Sequence, residues 1–311
     1  MQLAELVHDA SAPHGLGELV GGAWCLDTES AMQLCSRYDK HRQGPKLDFK
    51  KNPEFVRTAP RTDYEVRAGV AVIPIPGLLA PKANMSTRML RGTPLQSVCE
   101  QVTTAAADAR VNAILLSVDS LGGSVLGTPE LADTVYALAK KKPIVAHTAG
   151  RMAGAAYWVG CAANAVIVSD TTVQVGSIAV LMRRPVDPTM GSQKPEFFFG
   201  HYERMDRSLA RPDKDAEAYM QNRVDYLYSV FVEAVAKARG VGVNHVNAHL
   251  ADGRIFTGSQ AIEAGLADDS MGLDALIQDL AARPSTYAQR RRISAARATH
   301  TPQKITLPRA L

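Results

Sequence analysis

The chain has 311 residues, enough for one large α/β domain or two modest ones. Its 46% hydrophobic and 21% charged residues are ordinary for a soluble globular protein. No stretch approaches the roughly 18 uncharged apolar residues of a membrane span. The first ten residues include Glu5 and Asp9 and lack the basic start and apolar run of a secretory signal. We therefore expect no membrane contact and a cytoplasmic location.

The net charge of +4 is unevenly distributed. Residues 284–311 contain six positively charged side chains and no acidic one, which leaves −2 on the rest of the chain. A polar basic terminus is typical of a disordered, solvated tail, and the alternative is contact with nucleic acid or an acidic partner.

The cysteines are scattered along the chain, with no CxxC pair and no histidine at metal-ligand spacing. We expect reduced thiols, no metal and no cofactor; the four are Cys25, Cys35, Cys99 and Cys161.

The first 62 residues are predicted to form an N-terminal arm or linker, since residues 38–61 are polar and rich in lysine and arginine. The pattern then changes to a strand over residues 66–75, ended by a Pro-Gly pair. Residues 93–109 have apolar side chains at spacings of three and four, which predicts a helix. A continuous apolar run over residues 111–118 is typical of a buried parallel strand.

Strands and helices alternate in the middle of the chain, which predicts a parallel sheet covered by helices. The second half is predicted to be mainly helical. We therefore expect an α/β domain over residues 63–280 and a basic, disordered tail over residues 281–311. The further predicted elements are helices over 128–141, 213–239, 244–250 and 259–265, strands over 143–147, 165–169 and 173–182, and a turn into a short strand over 251–258.

Four segments, in this order and spacing, resemble motifs of the signal peptide peptidase A family of serine peptidases. The soluble, tailed form of the chain most resembles the family's phage and prophage capsid-protease branch. The resemblance extends over residues 64–275. The four segments are Asp119-Ser120-Leu121-Gly122-Gly123, residues 150–158 (GRMAGAAYW), residues 175–180 (VGSIAV) and residues 254–268 (RIFTG through GLAD).

The resemblance implies a ClpP/crotonase-like fold with a ββα-superhelix core, a parallel sheet and a helical C-terminal part. It also implies a homo-oligomer acting on peptides or on capsid or scaffold proteins, in the bacterial host cytoplasm or the phage prohead. An oxyanion site is expected from backbone amides at Gly122, Gly123 and Ala155, since glycines after a buried strand let the backbone approach a substrate. Ser120 and Ser177 belong to structural or substrate-lining positions in this family.

The catalytic pair departs from the family pattern. Aligned from Tyr157, the nucleophilic serine position falls on Gly154, which has no side chain to attack with. The lysine that acts as general base aligns with Arg204, and arginine stays protonated in proteins. We therefore expect a degenerate dyad in a retained peptidase fold, and the sequence leaves enzymatic activity open.

Two alternatives remain. An active serine endopeptidase could use a displaced nucleophile among Ser120, Ser124 and Ser177, with Lys194 or Lys214 as base. His147 is more typical of a packed, hydrogen-bonded residue than of a base. A crotonase-type acyl-CoA enzyme would share the fold and the oxyanion site, but the closing segment from Arg254 fits peptidases better.

Overall fold

A computed structural model describes residues 22–26, 64–83, 92–182 and 214–288, and the structural statements below concern these ranges. Within them, strands join into one sheet and helices cover it. The strands are β1 (Ala23–Leu26), β2 (Glu65–Arg67), β3 (Val70–Ala80), β4 (Thr93–Pro94), β5 (Ala113–Ser124), β6 (Ile144–Ala153), β7 (Ala165–Val168), β8 (Gln174–Gly176), β9 (Leu181–Met182), β10 (Ile255–Thr257) and β11 (Asp269–Ser270). The helices are α1 (Leu95–Ala107), α2 (Thr128–Leu138), α3 (Ala155–Cys161), α4 (Lys214–Arg239), α5 (Val243–His249), α6 (Gly258–Glu263) and α7 (Leu273–Ala282).

The centre of the sheet is parallel, with β5 between β3 and β6 and with β7 beyond β6. Side chains of β5 alternate between the two faces, as the pleat requires. Ile114 and Leu116 pack into the larger core together with residues of α1, α2 and α3. Ala113 and Leu115 pack into the smaller core, which α7 covers. The predicted mixed α/β fold with a parallel sheet is confirmed.

The strand β5 is longer than its apolar run suggests. The sequence predicts a strand over residues 111–118, whereas β5 continues to Ser124 through both glycines of the first motif. It continues because its backbone has neighbours on both sides: Leu78 and Leu79 pair with Gly122 and Gly123 on one side, and β1 pairs on the other. Backbone pairing therefore keeps the glycine pair within the strand where local propensity predicts a turn.

The helical C-terminal part encloses the larger core and covers the second face of the sheet. The indole ring of Trp158 in α3 stacks on the ring of Phe231 in α4, with centroids 4.4 Å apart. Beyond α7, Tyr287 is fully buried, and the basic residues from Arg290 onward lie outside the described residues. None of the helices described is both long and apolar enough to cross a membrane. The proposed limits of the domain and of the tail stay predictions.

Candidate functional site

The turn between β6 and α3 is the centre of the candidate site. Gly154 occupies it with φ of +54° and ψ of −125°. Its N–H donates to the Gly176 carbonyl oxygen at 2.9 Å, and its own carbonyl accepts the N–H of Trp158 at 3.0 Å. A sharp strand-to-helix turn of this kind exposes a nucleophilic side chain in serine hydrolases. The local geometry of a nucleophile position is therefore present, and the residue at it has no side chain.

The two glycines of β5 lie against this turn. Gly122 has φ of +106°, and a β-carbon on it would lie 2.9 Å from the Ala153 carbonyl oxygen and 3.0 Å from the Ala155 nitrogen. A β-carbon on Gly123 would lie 2.6 Å from that of Leu79. Both positions therefore require glycine for close backbone approach. The structure brings Gly122 and Ala155 together, and their role as oxyanion donors stays a prediction.

The buried Ser120 side chain braces the end of the same strand. Its hydroxyl donates to the Gly77 carbonyl oxygen at 2.5 Å and accepts the Gly122 N–H at 3.1 Å. Ser120 is thereby committed to the backbone, which disfavours it as a displaced nucleophile. The Gly122 amide is engaged as well, so among the two glycines the amide of Gly123 is the better candidate donor to a ligand in the groove.

Ser177 lies one residue beyond the carbonyl that receives the Gly154 amide. It is fully buried, its φ is +51°, and its N–H donates to the Arg254 carbonyl oxygen at 2.9 Å. Its hydroxyl has no hydrogen-bond partner among the described residues. A buried unpaired hydroxyl on a strained backbone is costly, and such combinations concentrate at functional sites.

Other residues proposed from sequence lie apart from the turn or outside the described ranges. Ser124 accepts the Leu126 N–H at 3.1 Å through its hydroxyl. The buried His147 contacts the Met271 carbonyl oxygen at 3.1 Å through Nε2, and burial lowers its pKa. This packing is the role that the sequence analysis favoured for His147 over that of a base. Arg204 and Lys194 lie outside the described residues, as does the side chain of Lys214.

The strand β1 is a part of the site that sequence reasoning missed. It pairs antiparallel with the end of β5, with Cys25 opposite Gly123 and Leu26 opposite Gly122, and with β9 on its other side. β1 thus takes the place beside β5 that β6 leaves when the chain turns at Gly154. The only sequence signal is a short apolar triplet, Trp24-Cys25-Leu26, inside a segment predicted to be an arm.

A cavity of about 360 Å³ opens beside this arrangement, at the ends of β5 and β6 and the start of β8. The Asp119 carboxylate accepts the backbone N–H of Arg151 at 3.2 Å across it. The cavity could receive a peptide side chain next to the turn. It is lined by Asp119, Ser120, Leu121, Ala149, Gly150, Arg151, Thr172, Val173 and Gln174.

Residues 136–285 match the family model described as peptidase family S49. A Methanocaldococcus jannaschii protein named as a protease is 32% identical over 166 residues, 52% of this chain and 53% of its own. The head-tail preconnector protein GP5 of Enterobacteria phage P21 is 28% identical over 220 residues, 68% of this chain and 42% of its own. The capsid assembly protease C of Escherichia phage lambda is 26% identical over 248 residues, 78% and 55%. The predicted resemblance to a peptidase family is confirmed at the level of an S49 domain over residues 136–285.

The chain spans about half the length of these curated relatives, between 42% and 55%. Among solved structures, a mutant ClpP1 from Listeria monocytogenes is similar with a TM-score of 0.42 and 13% identity. That similarity covers 66% of this chain and 94% of the other.

Proposed function

We propose that this chain, which contains a peptidase family S49 domain, binds extended peptides without hydrolysing them and acts in phage capsid or head assembly. The observation that carries the proposal is Gly154 at the strand-to-helix turn. The turn has the backbone geometry of a nucleophile position, with Gly122 and Ala155 close by. Without a side chain at residue 154, no covalent acyl intermediate can form there.

The general-base position supports the same proposal from sequence. A lysine base works in this family because burial lowers its pKa, so that the neutral amine can take a proton. The aligned residue is Arg204, whose guanidinium keeps its proton. Two separate losses at the two reacting positions are consistent with loss of catalysis in a fold that has been retained.

Peptide binding is the activity that the remaining groups still support. The end of β5 presents backbone hydrogen-bonding groups beside the turn, and an extended chain already pairs with it in the form of β1. Strand addition of this kind gives affinity through the main chain and selectivity through side-chain pockets. The assembly role is proposed from the names of the phage relatives, a capsid assembly protease and a head-tail preconnector protein.

A cleavage assay on casein or a peptide library tests the proposal. It compares the unmodified protein with a Gly154→Ser, Arg204→Lys double variant and with a matched Gly154→Ala, Arg204→Lys variant. The alanine variant has a β-carbon and a lysine but no hydroxyl, so it separates nucleophilic attack from any structural effect. We expect cleavage only by the serine-containing variant.

Cleavage by the unmodified protein, persisting through removal of contaminants, would overturn the proposal. The specific alternative is then Ser177, since its buried hydroxyl has no partner among the described residues. Loss of that cleavage in a Ser177→Ala variant would identify it as a displaced nucleophile. Silence of the Gly154→Ser, Arg204→Lys variant, when folded, would contradict the assignment of the two reacting positions.

We propose that the protein is a homo-oligomer that uses α4 as an interface. Two aromatic side chains on this helix are exposed, Tyr219 by 46% and Tyr226 by 67%. Large exposed aromatics are enriched in interfaces. Light scattering should report a multiple of the 33.4 kDa chain mass, and a Tyr219→Ser, Tyr226→Ser variant should lower it. A monomeric mass for the unmodified protein would contradict the proposal.

The basic tail is proposed to contact packaged nucleic acid or an acidic scaffold. All six of its positive charges lie within residues 290–309. Because Tyr287 is buried and donates to the Asp279 carboxylate at 2.7 Å, a clean truncation should keep it. Removal of residues 289–311 should abolish the salt-sensitive part of binding to DNA or to an acidic scaffold. Unchanged binding would rule the contact out.

A further inference from the structure

We propose that β1 (Ala23–Leu26) is an intramolecular pseudosubstrate. It occupies the peptide groove, which is the gap between the end of β5 and β9 beside Gly154. The absence of a side chain at Gly154 allows it to bind there. The inference rests on the proposed function, because it names the occupant of the same groove. The two proposals can fail separately, because the proposed function concerns hydrolysis and this inference concerns which segment fills the groove.

The backbone of β1 makes the contacts that an extended substrate would make. It lies antiparallel to β5 and also pairs with β9, so it fills a gap between two strand edges. The N–H of Val125 donates to the Ala23 carbonyl at 3.0 Å. Hydrogen-bonding pairs alternate along an antiparallel ladder, which makes Cys25 and Gly123 the next pair to exchange backbone hydrogen bonds. The Cys25 carbonyl thus faces the Gly123 amide.

That carbonyl lies where the scissile carbonyl of a substrate would lie. A β-carbon on Gly154 would overlap the Cys25 carbonyl oxygen, and would be 2.6 Å from the carbonyl carbon and 3.2 Å from the Leu26 nitrogen. A β-carbon on Gly122 would overlap the same oxygen. The peptide bond between Cys25 and Leu26 therefore lies directly against the nucleophile position, next to the candidate oxyanion donors.

The same distances show why residue 154 matters for this occupant. Any side chain at 154 would meet rigid backbone atoms of β1, and backbone cannot move aside as the end of a long side chain can. A family member with serine at this turn could not hold a strand so deeply. In this chain the missing side chain leaves room for the strand. The absence of a nucleophilic side chain at residue 154 therefore also provides the space in which β1 binds.

The side chains of β1 are buried along with its backbone. Trp24 is 5% exposed, Cys25 0% and Leu26 3%. Cys25 packs into the larger core, and burial raises the pKa of its thiol, which keeps it protonated and unreactive. The Trp24 indole N–H has no hydrogen-bond partner among the described residues, so its contribution is apolar burial.

Alkylation of Cys25 in the native protein measures whether β1 is in the groove. The thiol is labelled with N-ethylmaleimide and each cysteine is followed by peptide mass spectrometry. We expect slow labelling of Cys25 in the unmodified protein and labelling about tenfold faster or more in Gly154→Ala, because the added methyl group displaces the strand. The matched control is Gly242→Ala, since a β-carbon there would meet nothing within 4 Å.

Peptide binding separates displacement of the strand from backbone strain at residue 154. A fluorescein-labelled peptide of residues 20–29, carrying Cys25→Ser, is titrated into full-length protein. A Trp24→Ala variant should bind it about tenfold more tightly than the unmodified protein, because the resident strand competes at high effective concentration. Adding Gly154→Ala to Trp24→Ala should reduce that gain, since the peptide, like a substrate beside a serine at this turn, must then lie less deeply in the groove. Leu26→Ala serves as the second weakening variant if Trp24→Ala fails to fold.

Three results would overturn the inference. The first is rapid labelling of Cys25 in the unmodified protein, and the second is equal peptide affinity with and without Trp24→Ala or Leu26→Ala. The third is protection of Cys25 that disappears on dilution, which would mean that the strand comes from a second copy. None of these results depends on hydrolysis, so failure here is distinct from failure of the proposed function.

Discussion

The turn before the short helix α3 and the contacts behind that helix differ in which functional groups are present. At its front, Gly154 offers no reacting group. Behind it, the Tyr157 hydroxyl donates to the Leu266 carbonyl at 3.0 Å. Nearby, the Arg239 guanidinium forms a bidentate ion pair with Asp268 at 2.7 and 2.9 Å. The groups that hold the turn are present, and the group that would react is absent. The comparison separates the contacts that support the turn from the residue at the predicted nucleophile position.

The largest expected effect is on the rear side. Arg239 and Asp268 side chains are both 6% exposed, and Asp268 also accepts the Val166 N–H at 2.7 Å. Asp268→Asn would leave a buried guanidinium unpaired, so the free energy of unfolding should fall by about 3–5 kcal/mol. Urea denaturation measures the change. The control is Asp252→Asn, whose partner Arg254 is half exposed; equal losses in both variants would show that burial does not matter here.

A front-side substitution should cost less. Gly154→Ala places a side chain at φ of +54° and against β1, and strain of this kind costs about 1–3 kcal/mol. Urea denaturation beside Gly242→Ala measures it, since Gly242 has an ordinary extended backbone and open space around it. A loss as large as that of Asp268→Asn would contradict the contrast between the two sides, because the front would then be as important for stability as the rear.

Several elements were predictable from sequence because they depend on local patterns. The buried strand at residues 111–118 and the helix at 213–239 were expected from their apolar periodicity, whereas Gly154 was located through the family resemblance. The predicted peptidase-family domain was confirmed by the match over residues 136–285.

The occupant of the groove was not predictable from sequence. The strand β1 has four residues, and its partner Gly123 is about a hundred residues away along the chain, so no local periodicity could indicate the pairing. Whether a serine hydroxyl has a hydrogen-bond partner also depends on backbone that is distant along the chain. Ser120 is engaged by Gly77, whereas Ser177 has no partner among the described residues. The two serines look alike in sequence, and only their surroundings distinguish them.

A smaller effect is expected from pH at the back of the sheet. Burial lowers the pKa of His147 below its ordinary value of 6.5. The unfolded chain therefore binds this proton at higher pH than the folded chain does, and stability falls as pH drops below about 6.5. His147→Gln, which keeps a donor for the Met271 carbonyl, should reduce the loss between pH 7 and pH 5 in urea denaturation.

The matched control for that measurement is His245→Gln. The pKa of His245 is lowered by its burial and by the neighbouring His249. His245 therefore contributes to the pH dependence of stability in the same range, although it lies outside the sheet. The two variants should each remove part of the dependence. An unchanged pH profile in His147→Gln would show that its contact with Met271 compensates for burial when the ring is charged.

The smallest effect should come from the exposed ion pair between Arg67 and Asp274, which links β2 to α7. The two side chains are 38% and 78% exposed at a separation of 2.7 Å. Solvent screens such pairs, so Asp274→Asn should change the free energy of unfolding by about 0–1 kcal/mol, and less in 0.5 M salt. Its shortest N–O distance equals that of Arg239 and Asp268, 2.7 Å, but the Arg239 pair is buried and bidentate. A loss near that of Asp268→Asn would therefore mean that distance, rather than burial, sets the cost, and the stability contrast between the rear of α3 and the surface would be lost.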